Sequence, residues 1–200
     1  MFTGNIGYAQ GLDILPKVAV LLKRENVECQ FIIIGDGRYR EEFEKEIQEK
    51  RVSEMFALLG RKKPEEIPYY LAWCDVAFLS FADNPLFAMT IPAKLQSYMA
   101  CGMPILAVAD GETRRIIEEA GCGWCCEVGD VKTTALVIDR IVNEEKNEMC
   151  NLRKATSAYF RQYFAKDELM DKIDEYVRLW FWWMKRMGGL IIHFKYKVKI

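Results

Sequence analysis

The feature that most constrains this sequence is a rhythm in which short apolar runs closed by glycine alternate with longer stretches patterned for one-sided burial. Phe31 to Gly37, FIIIGDG, is the clearest run, and its unbroken apolar character is how a strand buried on both faces reads. Before it, a short strand at Met1 to Thr3 runs into Gly4 and Gly7, and Leu12 to Arg24 carries Leu, Ile, Val and Ala at helical spacing. After it, charged helix over Arg40 to Lys50 precedes a strand at Met55 to Leu59, closed by Gly60. Pro64 opens a helix to about Trp73, Val76 to Phe81 is a strand, and Pro92 opens a helix to Cys101. Pro104 to Val108 is a strand, Glu112 to Ala120 a helix, Trp124 to Glu127 a last short strand, and the rest to about Trp183 is helical. Strands alternating with helices predict an α/β fold, a Rossmann-like, doubly wound parallel sheet covered on both faces, followed by C-terminal helices. The first strand starts at residue 1 with nothing before it to position it, so the chain reads as a C-terminal domain lacking an N-terminal partner domain.

Composition narrows the partners. Lys plus Arg number 28 against 29 Asp plus Glu, a net charge of −1, which gives the whole chain no electrostatic case for nucleic acid. The charge is unevenly spread, because from Arg178 onward every charged residue is basic: Arg178, Lys185, Arg186, Lys195, Lys197 and Lys199. Without those six, 22 basic residues face 29 acidic ones, a net −7. We therefore separate residues 1–177, the globular domain, from a basic and aromatic tail over 178–200. No run approaches the roughly 18 apolar residues of a spanning helix, and the N-terminus lacks the basic and apolar regions of a signal peptide. Seven cysteines is an odd number, and Cys29, Cys74, Cys101 and Cys150 sit singly in apolar stretches, which predicts buried, reduced thiols and a cytoplasmic protein. Cys122, Cys125 and Cys126 form the one cluster, but zinc needs more ligands at useful spacing and His193 is remote in sequence, so no metal site is expected.

Ligands of an open parallel sheet bind beyond the carboxyl ends of the strands, at helix N-termini. After the first strand come Gly4, Asn5, Ile6 and Gly7, with Gln10, Gly11, Leu12 and Asp13 opening the helix. This is either a tight turn or a loop that lets backbone approach a phosphate or sugar; its spacing is not the G-x-G-x-x-G fingerprint. Gly35, Asp36 and Gly37 allow the same two readings. Arg61 and Lys62, with Lys63, precede Pro64 as either a solvated basic turn or a phosphate neutraliser. The most specific segment is TIPAKLQSYMACGMP, residues 90–104. There Thr90 can cap the helix, and Lys94 in its first turn opposes the dipole unless an anion also sits there. Gln96 and Ser97 interrupt an apolar face and either stand on the surface or bond sugar hydroxyls. Gly102 and Pro104 close the helix.

The order GNIG-x-x-QGLD, IIIGDG, a strand ending in GR before a proline-started helix, and TIPAKLQSYMACGMPILA resembles the C-terminal, nucleotide-sugar-binding half of GT-B glycosyltransferases of family 4, or group 1. It is most similar to the bacterial branch that transfers N-acetylfucosamine-type or related sugars to lipid-linked intermediates of capsule and O-antigen. The likeness runs from about Phe2 to Phe164, and PAKLQSYMACG-x-PI is its specific part. It implies a donor site between two Rossmann-like domains, with the nucleotide on this one. Gly4, Asn5, Gly7, Gln10, Gly35, Asp36, Gly37, Arg61, Lys62, Thr90, Lys94, Gln96 and Ser97 are the donor-site candidates. Where that family places an Arg and a Lys around the first glycine loop, this sequence has Asn5 and Gln10; where it places two glutamates eight apart, it has Met89 and Ser97. These departures leave Lys94, Arg61 and the helix N-terminus to neutralise the diphosphate.

The resemblance implies metal-free, retaining glycosyl transfer from a nucleotide-diphosphate sugar of the UDP type. Acceptor binding and any general base fall to the missing N-terminal GT-B domain, so no catalytic residue is assigned and the chain alone is expected to be inactive. A UDP-sugar 2-epimerase shares the architecture but calls for histidines in its cleft. A nucleotide-sugar-binding module without catalysis, or a truncated gene product, is the alternative that Met89 and Ser97 favour. Tyr176, Trp180, Trp183 and Met187 recur at helical spacing beside Lys185 and Arg186, which suits either peripheral contact with an anionic membrane or packing on the missing domain. Gly188 to Ile200 matches nothing in that family.

Overall fold

The computed structural model describes residues 1–186; the expected features of the tail beyond them, Met187 and Gly188 to Ile200 included, lie outside the described residues. Two compact units divide the chain, Met1–Arg161 and the part from Gln162 onward.

The first unit is the expected α/β sheet. Strands β1 (Phe2–Asn5), β2 (Phe31–Asp36) and β3 (Phe56–Leu58) form one parallel sheet in the order β1-β2-β3. Strands β4 (Ala77–Ser80), β5 (Ile105–Val108) and β6 (Gly123–Cys126) form a second, β4-β5-β6. The sheets meet along β1 and β4, where the Met1 main-chain nitrogen donates to the Val76 carbonyl at 2.7 Å and the Phe78 N–H to the Met1 carbonyl at 2.7 Å. The spatial order is therefore β3-β2-β1-β4-β5-β6. The chain winds outward from β1 on one side and from β4 on the other, which makes the β1–β4 seam the topological switch point where such sheets bind ligands.

The apolar runs explain the layers. All four residues of β4 and of β5 are buried, as expected of strands covered on both faces. Helix α1 (Ile14–Arg24) buries Leu15, Val18, Ala19 and Leu22, spaced three and four apart, and packs against α7 (Val131–Val142), whose Ala135 and Ile138 join the same core. Helix α2 (Arg40–Glu49) adds Phe43 and Ile47 to the same core. The short helices α3 (Ile67–Ala72), α4 (Pro85–Ala88) and α5 (Ala93–Ala100) line the carboxyl-end loops, and α6 (Glu112–Ala120) covers β5 and β6 with Ile116 and Ile117. Helix α8 (Lys146–Tyr163) is anchored at the opposite end: Arg153 Nη2 donates to the Cys74 carbonyl at 2.8 Å, and Thr156 Oγ1 to Met103 O at 3.3 Å. Helix α9 (Lys166–Arg186) belongs to the second unit. Among the described residues no helix is long and apolar enough to cross a membrane.

Three expectations are corrected. The first helix starts at Ile14, not at Gln10 to Asp13, because Tyr8–Gln10 make a single 3-10 turn that Gly11 ends in the left-handed region at φ 57°. Glycine is forced there, since a Cβ would stand 2.5 Å from the Phe81 carbonyl oxygen. Helix α4 was not expected; Asn84 caps it by accepting from the Leu86 N–H at 2.9 Å. Cys150 is exposed, because the inward face of α8 runs through Met149, Arg153 and Thr156; Cys74, Cys122 and Cys126 are the buried cysteines.

Candidate functional site

At the carboxyl ends of β1 and β2, walled by α3 and α5, lies a groove of about 740 Å³. Gly4, Asn5, Gly35, Asp36, Arg61, Lys62, Lys94 and Ser97, eight of the thirteen residues singled out in the sequence, line it. Gln10 reaches it through a side chain, while Gly7 and Gly37 form the turns behind it. There the Gly7 carbonyl accepts from Gln10 N at 2.9 Å, and the Gly37 N–H donates to Asp36 Oδ1 at 2.9 Å. Thr90 and Gln96 are exposed and do not line the groove.

Lys94 is the centre of the arrangement. It sits in the first turn of α5, pointing across the seam, and its Nζ lies 3.8 Å from the centre of the buried Phe2 ring. Nζ donates to Gln10 Oε1 at 2.6 Å, so the loop after β1 and helix α5 meet through this pair. The stem runs past Gly4, at φ 133°, where a Cβ would stand 3.2 Å from Lys94 Cε; any larger residue would push the lysine away. Burial pulls the Lys94 ammonium down to about 7.

Thr90 does not cap α5. Its hydroxyl donates to Phe87 O at 3.0 Å, its carbonyl accepts from Thr113 Oγ1 at 3.3 Å, and Pro92 holds the N-cap position with no side-chain cap. The start of α5 thus has no side-chain cap, and its first residues, Ala93 and Lys94, line the groove, an arrangement suited to an anion. Across the groove, Arg61 Nε stands 3.4 Å from Asp36 Oδ2 and Arg40 Nη1 3.8 Å from Asp36 Oδ1. The Arg61 side chain is 79% exposed, so this surface pairing holds it weakly and leaves it able to turn to a ligand. Lys62 Nζ lies 5.7 Å from the Tyr70 ring centre. Ser97 Oγ donates to Ala93 O at 3.0 Å, a bond within its own helix, and Met89 is exposed.

Tyr98 is one of the groove residues that sequence reasoning missed. Fully buried, it accepts at its hydroxyl from the Thr3 N–H at 3.0 Å, and burial pushes its phenol up to about 12. The signal was present: Lys94, Ser97, Tyr98 and Cys101 follow i, i+3, i+4, i+7 and share one helix face, and all four line the groove. Among the described residues no group of three or more His, Cys, Asp or Glu is arranged to hold a metal ion. The groove brings together features suited to a polyanion: one half-buried amine, two surface cations, an uncapped helix start and a glycine beside it.

Comparison with known proteins gives the family and the fold. The family model described as glycosyl transferases group 1 matches residues 1–163. A probable glycosyltransferase of Pseudomonas aeruginosa, WbjE, is 34% identical over 142 residues, covering 70% of this chain and 34% of that protein. The amylovoran biosynthesis glycosyltransferase AmsK of Erwinia amylovora is 25% identical over 171 residues, 82% of this chain and 42% of its own length. The chain therefore spans well under half the length of these relatives. The Anabaena protein HepE, solved with UDP-glucose, superposes with a TM-score of 0.69 at 19% identity, covering 88% of this chain and 48% of HepE, which shows a shared fold.

Proposed function

The chain belongs to the group 1 glycosyl transferases, and from that premise we propose that it is the donor-binding half of a retaining glycosyltransferase. It would take a sugar from a nucleotide-diphosphate sugar of the UDP type and pass it to a lipid-linked acceptor in surface polysaccharide synthesis. The observation that carries the reading is the convergence of Lys94, the uncapped start of α5 and Gly4 at the β1–β4 switch point. The UDP-glucose held by HepE supports the donor class, and the amylovoran pathway of AmsK supports the polysaccharide role. We place the enzyme in the cytoplasm, with acceptor binding on an N-terminal GT-B domain and peripheral membrane contact through the tail.

The chemistry follows from charge. As the glycosidic bond to the diphosphate breaks, negative charge builds on the leaving phosphate, and cations and aligned N–H groups stabilise that state more than the ground state. Lys94, Arg61 and the α5 terminus are the groups of this chain placed for that role. Titrating UDP into the chain by calorimetry or ligand-observed NMR tests the reading. We expect millimolar to high-micromolar affinity, roughly 4 to 5.5 kcal/mol, because half of a two-domain cleft leaves the nucleotide partly solvated. No contact at several millimolar would overturn it.

A second reading rests on Met89 and Ser97, which stand where the resemblance places two glutamates, the Ser97 hydroxyl being turned back onto its own helix. It makes the chain a nucleotide-sugar-binding module without catalysis, or a truncated product. Co-expression with an N-terminal half and measurement of UDP release from UDP-sugar separates the two: turnover excludes the second.

A further inference from the structure

This inference deepens the donor-site reading and rests on it. Lys94 is held without a carboxylate partner among the described residues. An ammonium has three donors, and its hydrogen-bond partner here is the neutral Oε1 of Gln10 at 2.6 Å, with the Phe2 ring against its other side. The charged and titratable groups facing it across the groove do not answer its charge. From β2 comes Asp36, which pairs with Arg61 and Arg40. The loop after β3 brings two more cations, Arg61 and Lys62, and β1 and α3 bring no titratable side chain to the groove wall. On α5 itself Tyr98 and Cys101 are pushed up by burial, away from neutrality.

We propose that the donor's diphosphate binds together with a proton. Lys94 Nζ takes one proton from solvent and meets the phosphate oxygens as an ammonium, so that affinity for a nucleotide-diphosphate sugar falls as pH rises above neutrality. The balance is simple: one amine nitrogen gains one proton and one positive charge, and the diphosphate supplies the compensating negative charge that the protein does not. Gln10 holds the amine in place across both states, since its Oε1 accepts from either form. The lowering of Lys94 to about 7 by burial agrees with this geometry.

The test is calorimetry of UDP-glucose binding to the full chain in two buffers of different ionisation enthalpy, repeated across pH 7.0 to 8.5. UDP-glucose is chosen because its diphosphate is a diester with no protonation step near neutrality, and uridine is the control. With Lys94 near 7, uptake should approach one proton per UDP-glucose at pH 8.5, and affinity there should be roughly 15-fold weaker than at pH 7.0. Uridine should bind with no proton uptake and no such pH dependence. Lys94→Met should abolish the uptake and weaken UDP-glucose at pH 7.0 while leaving uridine unchanged. The wild-type proton count needs no variant and stands if Lys94→Met fails to fold. UDP-glucose binding without uptake, or uptake that persists in Lys94→Met, overturns the inference and leaves the donor reading intact. No binding of UDP-glucose at any pH overturns both.

Discussion

Removing the Tyr98 hydroxyl, which accepts from the Thr3 N–H at 3.0 Å and the Thr3 hydroxyl at 3.4 Å, should be clearly destabilising. The two sheets are paired at Met1 and then part, so the next donor along β1, the Thr3 N–H, has no β4 carbonyl to reach. Tyr98 Oη takes that place at 3.0 Å, reaching up from α5 to close the seam one step beyond the last strand pairing. Tyr98→Phe keeps the ring and nearly all the volume, so it opens no cavity and leaves α5 in place. What it removes is the acceptor, and an unpaired donor in a partly buried setting costs about 1 to 3 kcal/mol. At 2 to 4 °C per kcal/mol for a chain of this size, the transition should fall by roughly 4 to 8 °C for a central cost of about 2 kcal/mol. Urea unfolding and thermal circular dichroism of wild type and variant measure both quantities. A variant within about 0.5 kcal/mol of wild type, the range of ordinary surface changes, would refute the assignment of Tyr98 as the seam's replacement for a strand partner.

Two further outcomes are expected. Lys94 binds its proton less tightly folded, at about 7, than unfolded, near 10.5, so wild-type stability should rise with pH through that window and be lowest, on this account, below pH 7. Urea unfolding of Lys94→Met should accordingly show a variant more stable than wild type at pH 6 by a margin that shrinks toward pH 10; a constant margin would contradict the burial of the charge. In the second unit, α9 exposes Leu169, Met170, Ile173, Tyr176, Val177 and Trp180, and the sequence turns wholly basic from Arg178. Liposome sedimentation should find binding that needs anionic lipid, weakens with salt and disappears on truncation after Val177; equal binding to neutral and anionic vesicles, or none to either, assigns the face to an adjoining domain instead.

The sheet was legible because its strands are short apolar runs with no other use: Ala77–Ser80 and Ile105–Val108 are buried at every position, and a half-exposed strand would have alternated. The end of α5 was legible through Gly102, at φ 63°, which only a helix stop requires. The helix start after β1 was not, because residues 8–13 make one 3-10 turn before restarting, and what decides this is the contact between Gly11 and the Phe81 carbonyl, far away in sequence. Tyr98 was passed over for a related reason. An aromatic residue on an apolar helix face reads as core, and that its hydroxyl completes a strand edge depends on how β1 and β4 diverge. Lys94 was found from its place in the first turn of α5, but its burial could not be, since a lysine is by default a surface residue.

The departure from the family pattern at Gln10 bears directly on Lys94. The resemblance leads one to expect a cation in the loop after β1, and this chain has Gln10 there; it has instead a cation on α5, and the two side chains are in contact at 2.6 Å. A lysine at position 10 would set a second ammonium within hydrogen-bond distance of the first, in a setting where burial already disfavours one charge. With the charge on α5, Gln10 is left the work of an acceptor that orients the amine, a task for which a neutral amide oxygen is suited in both protonation states of the lysine. Gly4 then has its reason on this side of the seam, since the lysine stem must pass within 3.2 Å of where its Cβ would be.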